Sequence, residues 1–221
     1  ILLYDRPTLK WYTDDIENSS LFLLGNGSME IEGKILKSKG LIVKPWIFWA
    51  RQPVMVEKLL NKIDVLTWEE RKNDSIFIGN FDNKIIGKYK NYNWENVLTE
   101  CHITPGSEHL FTNEEYLMKL RNSKYGLCLR GYGSKCNREV ELMAFGTVPI
   151  VGPDVNIISY MDPPVENTHF IKINNPEELK TKIEKITKEK WEEMSKSCYE
   201  WYQRNIYSKN CWNTMINNIL Y

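Results

Sequence analysis

The chain has 221 residues, 42% of them hydrophobic and 26% charged, with Lys and Arg totalling 29 against 29 Asp and Glu. That length suffices to bury the core of one large domain or two small ones. A balanced charge without a basic stretch argues against a nucleic-acid binder, and no apolar run reaches the roughly 18–20 residues of a membrane helix.

Residues 1–66 read as one small unit. "LFLLG" (21–25) is a short strand ending at a turn. "LIVKPWIFW" (41–49) is a second apolar segment that Pro45 confines to a sheet edge or splits. "PVMVEKLLNKI" (53–63) has helical spacing, and Pro53 suits its first turn.

A regular alternation follows. "SIFIGN" (75–80) is a buried strand, and "NKIIGKYKNY" a short, weak helix. "VLTECHITPG" (97–106) is a strand that stops at Pro-Gly, and "TNEEYLMKLRNS" (112–123) a helix opened by a Thr112–Glu115 capping box. "YGLCL" (125–129) is a strand. "NREVELMAFG" (137–146) is a helix with Asn137 as N-cap and Gly146 as its stop. "VPIV" (148–151) and "HFIKI" (169–173) are further strands, and helices near 176–187, 189–205 and 209–220 close the chain. Strands that are apolar on both faces and alternate with helices predict a doubly wound α/β unit with a parallel sheet. Its expected span is 67–190, with 191–221 packing back on the N-terminal unit. The lysines between 180 and 190, alternating with glutamates, read as a solvated helix face.

The five cysteines (101, 128, 136, 198 and 211) fit neither a disulfide scaffold nor a zinc motif. They point to a reducing compartment, with Cys128 a small core residue. Residue 1 is Ile and no signal peptide is visible, so a processed piece or an excised domain of a larger protein is expected.

"RGYGSKCNREVELMAFGTVPIV" (130–151) sets unusual charge beside a buried strand. In an open α/β sheet, ligands sit beyond the C-terminal strand ends. That places Arg130, Gly131, Tyr132, Gly133 and Ser134 at such an edge, ahead of a helix whose first N–H groups favour an anion. Arg138 in the first helical turn stands unfavourably at the positive end of the dipole, which calls for something negative nearby. Glu141 shares its face, and such a pair could hold a diphosphate and a ribose diol. A plain i,i+3 surface pair is the competing reading.

Residues 125–151 resemble the signature of exostosin-type glycosyltransferases. In that family a Phe-Cys-Leu-Cys-Pro strand leads to a Gly-Tyr loop, then Ser-Pro-Arg, Val-Glu-Ala and Phe-Gly-Cys-Val-Pro-Val. The matching residues are Tyr125 to Leu129, Gly131-Tyr132, Arg138, Val140-Glu141 and Phe145 to Val151. "WEERKNDSIFIGN" (68–80) and "YLMKLRNSKYG" (116–126) are similar to the family's lead-in segments, so the resemblance covers residues 68–175. The departures are Asn137 for proline, Leu142 for alanine, Thr147 for cysteine, Arg130 where proline is common, and a much shortened N-terminal half.

The resemblance implies a GT-B-like fold: a Rossmann-like donor domain with a reduced N-terminal domain. It implies sugar transfer from a UDP-linked donor to a glycan or glycoprotein hydroxyl, inverting, with no metal and no other cofactor. Arg130, Arg138 and the helix N-terminus would stabilise the leaving diphosphate, with Lys84 and Lys88 weaker phosphate candidates. Glu141 would bind the ribose. His102, Ile103 and Thr104 would flank the base, and Asn80 and Asn137 complete the donor set. His102 reads equally as a hydrogen-bonded structural histidine.

Inversion needs a general base. Asp14 is the first choice, then Asp15, with His109 a third; an N-cap role for the aspartates is the plain alternative. No Asp-x-Asp flanked by apolar strands suggests a metal-dependent enzyme, and no G-x-G-x-x-G suggests a dinucleotide oxidoreductase. Two further readings stay open: a non-catalytic nucleotide-sugar or glycan-binding module, and another nucleotide-sugar enzyme such as an epimerase. The Asn-, Lys- and Ile-rich composition and the lack of a visible anchor imply a cytoplasmic enzyme, read as a domain of a microbial or virus-encoded glycan-building protein.

Overall fold

The computed structural model describes residues 2–4, 21–25, 32–81, 92–104, 109–131, 135–153 and 155–220. They form two parallel sheets. The N-terminal sheet has β1 (Leu2–Tyr4), β2 (Leu21–Leu24) and β3 (Ile42–Pro45), in that order. Helix α1 (Glu32–Ser38) carries the chain from β2 to β3, and Gly40, at φ +79°, makes the turn between them. Phe22, Leu24, Leu36, Leu41 and Val43 form a small core under this crossover. Pro45 pairs with Leu24 on the edge strand, where a missing N–H costs no ladder bond.

The larger sheet has five parallel strands: β4 (Asn73–Gly79), β5 (Glu100–Ile103), β6 (Ser123–Cys128), β7 (Val148–Val151) and β8 (Ile171–Lys172). Their order is β5-β4-β6-β7-β8. The sheet is flanked by α2 (Pro53–Leu60), α3 (Asn113–Arg121), α4 (Asn137–Ala144), α5 (Pro176–Glu184), α6 (Lys188–Asn205) and α7 (Cys211–Leu220). The expected Rossmann-like arrangement is thus present, because β6 and β7 are buried on both faces and must be covered twice. Among the described residues, no helix is long and apolar enough to cross a membrane.

Capping chemistry sets the helix boundaries. Thr112 and Glu115 form the expected reciprocal box on α3. Asn175 and Thr187 cap α5 and α6. Gly146 ends the turn after α4 at φ +66°, also as expected. One assignment is corrected: the N-cap of α4 is Cys136, not Asn137. Asn137 is the first helical residue, and its side-chain amide donates to the Trp49 carbonyl at 2.9 Å. A distant acceptor has taken the group that would otherwise cap the helix. The weak helix expected at 83–92 lies almost wholly outside the described residues.

The division of the chain is less sharp than its composition suggests. Val56 and Leu59 of α2 join the same core as Phe145, Trp191 and Tyr202, so this helix packs on the larger sheet's layer. Helix α6 lies along α4, and its Trp191, Trp201 and Tyr202 are buried core residues. Helix α7 adds a contact with the N-terminal segment, where the Trp212 ring meets Trp46 at 5.7 Å and Trp49 at 6.2 Å. The lysine-glutamate alternation is solvated as expected, with i,i+4 pairs such as Lys180–Glu184 at 3.9 Å.

Two features lock the layers together. Gly126 of β6 lies directly under α4, where any side chain would run into Leu142. Arg71, only 4% exposed, donates to the carbonyls of Leu66, Arg121, Ser123 and Phe145 and to Thr147 Oγ1. Its guanidinium also lies 5.1 Å from the Trp191 ring centroid. Burial pulls its pKa down to about 9, which leaves it cationic at neutral pH.

Removing Arg71 strands several carbonyls, each left unsatisfied at about 1–3 kcal/mol. Arg71→Ala is therefore expected to lose at least about 3 kcal/mol in urea unfolding, and Arg71→Lys to recover only part, since one ammonium cannot reproduce the planar fork. A loss below about 1 kcal/mol would contradict this role.

Candidate functional site

The strand order locates the crevice. From β4 the chain passes to β5 on one side, and from β5 through α3 to β6 on the other. The order therefore reverses between β4 and β6, the place where open α/β sheets leave a ligand crevice. Gly79-Asn80 leaves one strand there, and Leu129, Arg130 and Gly131 leave the other.

Arg138 occupies the gap. Its Nη1 donates to the Leu127 carbonyl at 3.3 Å and its Nη2 to the Ile78 carbonyl, so one guanidinium bridges the ends of β6 and β4. The group lies 4.5 Å from the Phe77 ring centroid. Gly79 makes room, because a Cβ there would come within 2.8 Å of Nη2. Nε is buried and has no hydrogen-bond partner among the described residues. Burial opposes the charge, but acidic groups around it, Cys136 among them, outweigh that and hold the pKa above its ordinary value. Arg138 is thus a fixed cation with one unsatisfied donor at the switch point.

Glu141 is 2% exposed, and both oxygens are engaged. One accepts the Arg51 N–H at 2.9 Å and the other the Tyr116 hydroxyl at 2.8 Å. Burial raises its pKa, against the opposing pull of those hydrogen bonds and of Arg138. Its described contacts bind the segment entering α2 to α3 and α4. It is neither an exposed partner of Arg138 nor, with both oxygens occupied, open to a diol.

The first turn of α4 holds a second buried group. Glu139 accepts the Cys136 N–H at 2.9 Å, the Cys136 thiol at 2.8 Å and the Tyr160 hydroxyl at 3.5 Å. Burial holds its carboxyl well above the usual range. A hydrogen bond with Cys128 lowers the pKa of Cys136, while burial raises that of Cys128. Sequence reasoning passed over Cys136, Glu139, Phe77 and Gly79. The C-x7-C-x2-E spacing was the signal available for the first two, and it matches no familiar ligand pattern.

The remaining expected residues divide clearly. Ile103, opposite Gly79 in the sheet register, is 37% exposed beside the crevice. Asn80, Arg130 and Gly131 stand at the strand exits, half-buried. His102 is engaged by Glu100 and meets Phe111 edge-on at 4.9 Å, which matches its structural reading. His109 is exposed ahead of α3. Tyr132, Gly133, Ser134, Asp14, Asp15, Lys84 and Lys88 lie outside the described residues. The chain matches no protein-family model and no curated protein.

Glu100 offers a pH test of this flank. Partial burial raises its pKa, but hydrogen bonds from His102 and from Lys119, the latter at 2.6 Å, outweigh it and the net shift is downward. A depressed carboxyl stabilises the fold above its unfolded value, near 4.3, and that contribution fades as pH falls through the lower folded value. Glu100→Gln should therefore cost up to about 1 kcal/mol at pH 7. The gap from wild type should close below about pH 4; a gap independent of pH would remove the charge from the explanation.

Proposed function

We propose that the crevice between β4 and β6 binds the diphosphate of a nucleotide-sugar, and that the protein transfers the sugar to a glycan hydroxyl. The observation that carries this reading is Arg138: a guanidinium fixed at the switch point, its Nε buried without a partner among the described residues, in the first turn of a helix. Such a donor costs free energy until an acceptor reaches it. An anion there is favoured twice, by the guanidinium and by the helix terminus. The resemblance of residues 125–151 to exostosin-type enzymes supports the donor being UDP-linked.

The chemistry is a single displacement. The acceptor hydroxyl attacks the anomeric carbon and gives its proton to a base, while the bond from that carbon to the diphosphate oxygen breaks and UDP leaves. Arg138 stabilises charge where it develops, on the leaving oxygens. Arg130, where β6 exits, adds a second cation, and Ile103 supplies an apolar edge for the nucleobase. Asp14, Asp15 and His109 are the proposed bases. Glu141 acts by holding α3, α4 and the Arg51 segment in register, in place of the ribose contact the resemblance implies.

Calorimetry with UDP, with and without magnesium, tests the donor site. Wild type is expected to bind without magnesium. Arg138→Gln should weaken binding about 10- to 100-fold, the worth of one charge-assisted contact. Gly79→Ala should weaken it too, because the added methyl displaces the flexible guanidinium rather than the backbone. If well-folded wild type binds neither UDP nor a UDP-sugar, the reading fails. Binding without turnover of any acceptor would leave a nucleotide-sugar-binding module.

A further inference from the structure

Two sulfurs and a carboxylate converge beside the first turn of α4. The ligand atoms of Cys128, Cys136 and Glu139 all lie within 4.8 Å of one another. Cys128 ends β6, Cys136 caps α4, and Glu139 is the third residue of that helix. Cys128 is 0% exposed and Glu139 1%. Among the described residues Glu139 forms no ion pair. Its partners are the Cys136 N–H and thiol and the Tyr160 hydroxyl. Enclosing a carboxyl among thiols, away from any paired cation, is costly unless something offsets it.

A thiophilic dication would do so. Two thiolates and a carboxylate are a donor set for zinc-type ions. With Zn–S near 2.3 Å and Zn–O about 2.0–2.2 Å, tetrahedral ligand atoms sit about 3.6–3.8 Å apart, inside the 4.8 Å envelope. The Cys136–Glu139 contact, 2.8 Å across a shared proton, would open by under about 1 Å as the metal displaces that proton. The charge also closes. Two thiolates and one carboxylate balance a dication and Arg138, whose field already acts on both cysteines. A fourth position remains for water.

We propose that Cys128, Cys136 and Glu139 bind one zinc-type dication. It ties the end of β6 to the first turn of α4 and so fixes both ends of the 129–135 loop. The role is structural, and it stands whether or not the crevice binds a nucleotide-sugar.

The test is a cobalt(II) titration of the full, reduced chain, followed by zinc competition. One equivalent of cobalt should give a thiolate-to-metal absorption band that zinc abolishes, and zinc should raise the thermal midpoint. Cys136→Ser, at a half-exposed position, should weaken cobalt binding at least about 100-fold, more than loss of an outer-sphere partner, and should abolish the zinc-dependent shift. Glu139→Gln should weaken it at least about tenfold. A variant with Cys101, Cys198 and Cys211 all changed to Ser should bind as wild type does. Absence of the band at one equivalent, unchanged binding in Cys136→Ser, or loss of binding in the triple variant would each overturn the assignment.

Discussion

A buried parallel sheet creates a difficulty at each end, because strands enter and leave through loops whose carbonyls have no ladder partner and little water. Here one guanidinium answers at each end. Arg71 gathers carbonyls from the linker before β4, from the end of α3, from the start of β6 and from the turn before β7. That single side chain sets the relative position of three strands at their entry ends. The backing by Trp191 and the Ser195 hydroxyl, which donates to the Gly146 carbonyl at 2.6 Å, extends the same node into α6.

Arg138 does the corresponding work at the exit ends, with a difference that matters for function. Arg71 uses every one of its nitrogens, whereas Arg138 keeps Nε unpartnered among the described residues. In the proposed donor site, the missing acceptor arrives with the ligand. The sheet is thus held by the same chemistry at both ends.

The 129–135 loop between these elements is flanked by Cys128 and Cys136. Its two ends leave a strand and enter a helix that pack directly on each other through Gly126 and Leu142. The positions of Cys128 and Cys136 are therefore set by the contact of α4 with β6. Glu141 reinforces that contact from the other side by tying α4 to Tyr116 and Arg51. The charged residues of 130–151 consequently serve several masters: Glu139 and Glu141 face inward, and Arg138 bridges the ends of β4 and β6.

Much of this was legible in the sequence. Short apolar runs bounded by Gly, Asn and Pro marked β4, β6 and β7, because only a strand buried on both faces tolerates such runs, while the segment stopping at Pro105-Gly106 marked β5 and "HFIKI" marked β8. Thr112–Glu115 and Gly146 marked helix ends through backbone chemistry confined to a few neighbouring residues. Cys136 displaced Asn137 as the cap because the acceptor for the asparagine amide, Trp49, is far away in sequence. Strand β1 escaped notice, being three residues with no alternation to detect. That residues 130–151 begin at the C-terminal edge of the sheet followed from sequence order alone. Where each of their charges would point did not: Arg138 and Glu141 share a helix face, yet the packing of α2 and α3 closed over the carboxylate and left the guanidinium at the strand ends. Local spacing determined the elements and their caps, since those depend on neighbours along the chain. The tertiary structure decided the partners of each buried charge, since those come from segments dozens of residues apart.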